Sequence, residues 1–309
     1  MKLQQSLILA LIVLFFTACS QGKKEEQAEV TEAKAKKVIA VTNYPIYYFT
    51  SRIVGEKAEV IFPMADSGDP AYWDPKPEAI AHMQDADLVL LNGADYEKWL
   101  NKVSLGSSSL FNTSEGFKEN YIEVENMVTH THGDEEEHSH AGIDFTLWLD
   151  FSQAAQQAEA IAAKLAELMP EDKTTIEENA QTLVAELMAL DKEVITIVAG
   201  KEEMPLVVSH PVYSYFTRKY GLNVESRHWE PGQMPSDHAW EHFDELLETH
   251  PAKWMLWEGT PDQAIVDKLA EKGVSSAVFA PCAGKPDSGD FMSVMQENIE
   301  RLKKVFGEV

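Results

Sequence analysis

Short apolar runs alternate along the chain with stretches of helical periodicity. Val38 to Thr42, Ala58 to Phe62, Leu88 to Leu91, Leu206 to Val208, Leu222 to Glu225 and Trp254 to Trp257 read as strands. Strand runs alternating with helices indicate parallel sheets covered on both faces. Two longer helices are predicted near the middle of the chain. Ser152 to Met169 places Ala155, Ala158, Ile161, Ala162, Leu165 and Leu168 on one face, and Pro170 breaks it. Glu171 to Ala199 resumes with Ile176, Ala180, Leu183, Val184, Leu187 and Leu190. At 1.5 Å per residue this helix is roughly 40 Å long, a stiff spine rather than a flexible linker.

The strand pattern occurs twice. Tyr44-Pro45-Ile46-Tyr47 follows the first strand, and His210-Pro211-Val212-Tyr213 follows its counterpart at Leu206 to Val208. Each leads into a helix that ends at Gly55 or Gly221, with proline near the start and glycine past the end. A strand, a Pro-rich loop (Met64 to Pro77, or His228 to Ser236), a helix, an apolar strand and a further helix are then expected in both halves. The fold class is α/β: two similar parallel-sheet lobes joined by a long spine helix.

The ends add a location. Lys2 precedes the ten-residue apolar run Leu7 to Phe16, too short to span a ~30 Å hydrocarbon core. Phe16-Thr17-Ala18-Cys19 resembles a bacterial lipobox, with Phe16 where Leu is usual. Residues 1–18 are therefore expected to be a lipoprotein signal peptide and Cys19 the lipidated residue, facing the periplasm or the cell exterior. Residues 19–37 carry many charges and almost no large apolar groups, the composition of a disordered tether. Residues 38–170 form the N-terminal lobe, 171–199 the spine and 200–309 the C-terminal lobe.

Charge and cysteine content narrow the function. Of 309 residues, 26 are Lys or Arg and 51 Asp or Glu, a formal charge of −25. That excess argues against nucleic-acid binding, which needs a basic surface. Two Cys exclude a disulfide scaffold and a four-Cys zinc site. No nucleophile elbow, H-E-x-x-H or phosphate loop is present, so Ser209, His210 and Glu258 do not make a case for an enzyme.

Parallel sheets bind ligands beyond the carboxyl ends of their strands. Those ends carry Asn43, Asn92, His210, the His228 to Met234 loop and Glu258. Separately, the 126–142 loop holds His130, His132, His138 and His140 around Asp134 to Glu137. Imidazole and carboxylate are both ligands for zinc-like ions. The loose spacing describes a weak accessory site for several ions.

These features resemble the solute-binding proteins of zinc and manganese ABC importers. The carriers are the lipobox, the duplicated lobes, the spine, the His/acid-rich loop before Trp148-Leu149-Asp150, and Trp73-Asp74-Pro75-Lys76-Pro77. Ser209-His210, the Tyr215 to Leu222 stretch and the Phe291 to Ile299 helix extend the match. The resemblance implies a monomer that captures a divalent metal, zinc first, and delivers it to a membrane permease and its ATPase. Of four ligand positions it implies, only His210 is kept; Ala71, Thr146 and Ala280 stand at the others.

Two readings follow. In one, the site has moved, with His210 joined by His228, Glu230 and Glu258, and with Asp69, Asp74 and His238 nearby. In the other, the cleft holds an organic ligand among Tyr44, Tyr47, Tyr72, Trp73, Trp148, Tyr213, Trp229 and Trp257.

Overall fold

The computed structural model describes residues 36–64, 70–124 and 142–307, and Lys36–Val309 form one compact unit. The signal peptide, Cys19, the tether up to residue 35, Asp69 and the His130–His140 loop lie outside the described residues. Among the described residues no helix is long and apolar enough to cross a membrane.

The first sheet contains β1 (Lys37–Val41), β2 (Ala58–Ile61), β3 (Leu88–Leu91) and β4 (Leu110–Asn112) in the order β2-β1-β3-β4, all parallel. A two-stranded antiparallel ribbon, β5 (Ile122–Val124) and β6 (Gly142–Asp144), follows. The second large sheet contains β7 (Leu206–Val208), β8 (Val224–Ser226), β9 (Trp254–Trp257) and β10 (Ser275–Val278), ordered β8-β7-β9-β10 and again all parallel. Matching β1 to β7, β2 to β8, β3 to β9 and β4 to β10 makes the two orders identical. The duplication read in the sequence is therefore a repeat of topology. In each sheet the strand order reverses between the first and third strands, so a switch point lies beyond the ends of β1 and β3 and again of β7 and β9.

Helices α1 (Tyr44–Val54) and α5 (Ser214–Tyr220) follow the first strand of each lobe. Gly55 and Gly221 cap them at positive φ, 54° and 64°, where a side chain is strained. α2 (Pro77–Asp85) and α6 (Asp237–Thr249) precede the third strands. The expected parallel between lobes then fails twice. After β9 comes α7 (Gln263–Glu271), but after β3 only two 3-10 turns, over Lys98–Lys102 and Ser107–Ser109, form. And Pro211 does not open a helix as Pro45 does: Asn43 caps α1 by accepting the Ile46 N–H at 2.9 Å, whereas α5 starts only at Ser214 with no side-chain cap. By strand register His210, two residues past Val208, stands where Asn43 stands two residues past Val41, one position off the Pro45–Pro211 pairing read in the sequence, and the backbone turns into its helix later.

α3 (Phe151–Leu168) is capped by Asp150, whose carboxylate accepts the Ser152 and Gln153 N–H groups. Pro170 ends it in a 3-10 turn, and α4 (Lys173–Val198) runs 26 residues, about 39 Å. α4 packs against α1 and α3 of the first half and against α5 and α8 (Phe291–Val305) of the second. One hydrophobic core runs without a break from Ile39 and Leu90 through Leu183 and Leu190 to Leu206 and Leu256. Phe291 on α8 meets Phe49 on α1 edge-on at 5.2 Å between ring centroids. Across the lobes the Tyr44 N–H donates to Ala283 O (2.9 Å), the Trp148 indole to Pro281 O (2.7 Å) and the Tyr215 hydroxyl to Asp144 O (2.7 Å).

Candidate metal centre

The ends of β7, β8 and β9 bring three ligand-type side chains together. His210 lies two residues past β7, Glu230 on the loop after β8 and Glu258 directly after β9. β7 is the middle strand of the three, so its residue lies between those of its neighbours. One ligand atom from each of His210, Glu230 and Glu258 lies within 4.8 Å of the others. His210 Nδ1 is 3.6 Å from Glu258 Oε1 and 3.8 Å from Glu230 Oε1. The side chains are 15%, 36% and 26% exposed for His210, Glu230 and Glu258, partly screened yet reachable from solvent. His228 meets the His210 ring edge-on at 5.4 Å between centroids and lies outside the three-residue cluster.

The backbone fixes these positions. Beyond the strands, Trp229 N–H donates to Ser209 O and Ser209 N–H to Leu256 O, both at 2.8 Å, extending the ladder to the site. Pro231 O accepts the Asp262 N–H at 2.8 Å, pinning the Glu230 loop to the loop after β9. Trp229 and Trp257 are buried against Trp240 and Phe243, anchoring two of the ligand segments. Glu258 also adds to burial in holding the Tyr213 hydroxyl well above its usual ionisation range, and that hydroxyl donates to Phe279 O (2.8 Å).

The other residues named from sequence are placed elsewhere. Asp74 and His238 are exposed, outside the three-residue cluster. Thr146 is buried with its hydroxyl 2.8 Å from both Asp144 Oδ1 and Val212 O, and Ala280 is clasped by the Asn298 amide through N–H and C=O. Ala71 is buried in a 3-10 turn over Pro70–Tyr72. Thr146, Ala280 and Ala71 are thus each taken up in local packing, the first two through named hydrogen bonds. The organic-ligand reading is corrected by burial: Tyr44, Trp73, Trp148, Tyr213, Trp229 and Trp257 are core side chains and present no aromatic wall to a ligand. Of that set Tyr72 is exposed, and Tyr47 packs partly buried against the core.

The sequence model of the family described as ZnuA, zinc-uptake complex component A periplasmic, matches residues 39–305. The chain belongs to this family. It is 29% identical over 318 residues to the high-affinity zinc uptake system protein ZnuA of Bacillus subtilis, covering 96% of this chain and 95% of that one. It is 27% identical over 322 residues to the zinc-binding lipoprotein AdcA of Streptococcus pneumoniae, covering 98% of this chain but 61% of AdcA. The crystal structure of the metal-dependent lipoprotein YcdH from Bacillus subtilis superposes with a TM-score of 0.74 at 26% identity, over 87% of this chain and 99% of that one. The Zn(II)-bound ZnuA-like domain of Streptococcus pneumoniae AdcA shares the fold, with a TM-score of 0.74 at 23% identity over 89% of this chain and 100% of that one. ZnuA-family proteins are binding components of uptake systems, and the catalytic reading of Ser209, His210 and Glu258 has no place in that family.

Proposed function

We propose that the chain is an extracytoplasmic solute-binding lipoprotein of an ABC importer, and that its cargo is a divalent metal, zinc first. His210, Glu230 and Glu258 hold the ion, with His228 beside them as a second imidazole. The observation that carries this reading is the approach of three N and O ligand groups from three adjacent strand ends to within 4.8 Å. Zinc is held by three or four such groups at about 2.0–2.2 Å, so a small inward movement of two carboxylates brings three ligands to bonding distance and leaves a fourth position open. The names of the relatives, a zinc uptake protein and a zinc-binding lipoprotein, support zinc over other divalent ions. Lipid on Cys19 anchors the chain outside the cytoplasmic membrane, and the monomer delivers its ion to a permease and its ATPase. The His130, His132, His138 and His140 loop gathers ions for the main site.

The test is a calorimetric zinc titration of metal-stripped Lys37–Val309, with and without residues 128–141. The reading expects one tight one-to-one class that survives loop removal and is lost in His210→Ala. Binding that disappears with the loop and ignores His210→Ala overturns it.

A further inference from the structure

We propose that the exposed face of α6 carries a second metal site, a two-imidazole chelate formed by His238 and His242. Their Nε2 atoms lie 3.1 Å apart across one helical turn, with rings edge-to-face at 4.3 Å between centroids. Residues four apart face each other on a helix, so the backbone holds the pair in register before any ion arrives. α6 itself is well fixed: Ser236 caps it, and Trp240 and Phe243 are buried on the opposite face. The two histidine side chains are 79% and 60% exposed, open to an ion and to two further ligands from water or another molecule.

Each of the other ring nitrogens faces a carboxylate of the same helix. His238 Nδ1 faces Glu241 Oε2 at 3.7 Å, and His242 Nδ1 faces Glu245 Oε2 at 4.0 Å. A carboxylate beside one ring nitrogen favours the proton there and leaves the lone pair on the other, the outer-shell arrangement usual for metal-binding histidines. At 3.1 Å the two Nε2 atoms are within hydrogen-bond distance, one ring donating to the other, and an ion that takes both lone pairs displaces that shared proton. With metal–nitrogen bonds of about 2.0–2.1 Å, an ion bridging that gap subtends roughly 100°, between the octahedral and tetrahedral angles. Imidazole pairs with open positions suit zinc, copper and nickel rather than calcium or magnesium. The site shares no residue with the His210 cluster.

The experiment titrates the full chain, labelled with 15N-histidine, with Zn2+ while the ring nitrogens are followed by NMR. Variants H238A and H242A assign the two rings, and circular dichroism checks that each stays folded. The site requires the Nε2 resonances of His238 and His242 to shift together with one midpoint. H242A should move the His238 midpoint to about tenfold or higher zinc, since the second ligand acts at high effective concentration. H238A should do the same to His242, and His210→Ala should leave both midpoints unchanged. Separate midpoints, midpoints indifferent to loss of the partner ring, or no shift up to millimolar zinc overturns the proposal.

Discussion

The two lobes put different chemistry at the same address. Val41 pairs with Leu90 in the first sheet, and Val208 with Leu256 in the second. Two residues further on, Asn43 stands opposite Asn92 in one lobe, and His210 opposite Glu258 in the other. The Asn43 amide donates to Asn92 Oδ1 at 3.0 Å; His210 lies 3.6 Å from Glu258. Both pairs straddle a switch point. In the first lobe the pair is buried and structural: Asn43 caps α1, and Gln157 reaches Asn92 Oδ1 from α3. Beneath it, buried Glu97 accepts the Asn92 N–H (2.6 Å), the Gly93 N–H (3.2 Å) and the Thr42 hydroxyl (2.6 Å). In the second lobe the same positions are partly exposed and hold an imidazole and a carboxylate, ligand types for cations. A switch point is a good place for a ligand because strands diverge there; whether it holds one depends on whether the residues satisfy each other.

The largest effect should come from making the second lobe resemble the first. His210→Asn with Glu258→Asn should leave the fold intact and weaken zinc binding by about a thousandfold or more, measured by calorimetry. Retained tight binding would break the comparison. Next is the buried carboxylate of the first lobe. Burial raises the Glu97 pKa to about 7, despite hydrogen bonds that oppose the shift. Between the ordinary carboxylate range and pH 7 the folded chain keeps this proton while the unfolded chain loses it. Stability therefore falls as pH rises through that window, on the order of 3 kcal/mol, and levels off above it. Urea unfolding from pH 4.5 to 8 should show this slope in the parent and lose it in Glu97→Gln. A smaller effect is expected for Asn43→Ala, which removes a cap and a buried hydrogen bond. Unfolding should become easier by about 1–2 kcal/mol, with zinc affinity changed less than twofold. The smallest is replacement of His130, His132, His138 and His140 by Ala, which should move the tight zinc midpoint by under about threefold.

Much of this was legible in the chain. Six apolar runs match β1, β2, β3, β7, β8 and β9 to within a residue or two, Pro170 marks the break before α4, and the strand-end rule points to a wider set, Asn43, Asn92 and the His228 to Met234 loop among it, that includes His210, Glu230 and Glu258. What escaped reading depended on contacts between distant segments. Residues 98–102 form a 3-10 turn where the pattern suggested a helix, and Trp99 is buried there against Trp73. The aromatics near the strand ends look equally suited to a core or a ligand wall, because periodicity does not tell inside from cleft. Thr146 and Ala280 read as lost ligands; that each is fastened by hydrogen bonds to a residue 66 or 18 positions away is invisible in sequence.

The shared core has a consequence for timing. With α4 packed on helices of both halves and hydrogen bonds crossing between them, the lobes have no free axis about which to swing. All the proposed cleft ligands belong to one lobe, so on that proposal the ion would leave once the Glu230 loop, held to Asp262 through Pro231 O, lifts. Loop motions run in nanoseconds to microseconds, domain swings in microseconds to milliseconds. The residence time of the cargo would then be governed by its bonds to the protein, with no slower mechanical clock imposed by the scaffold.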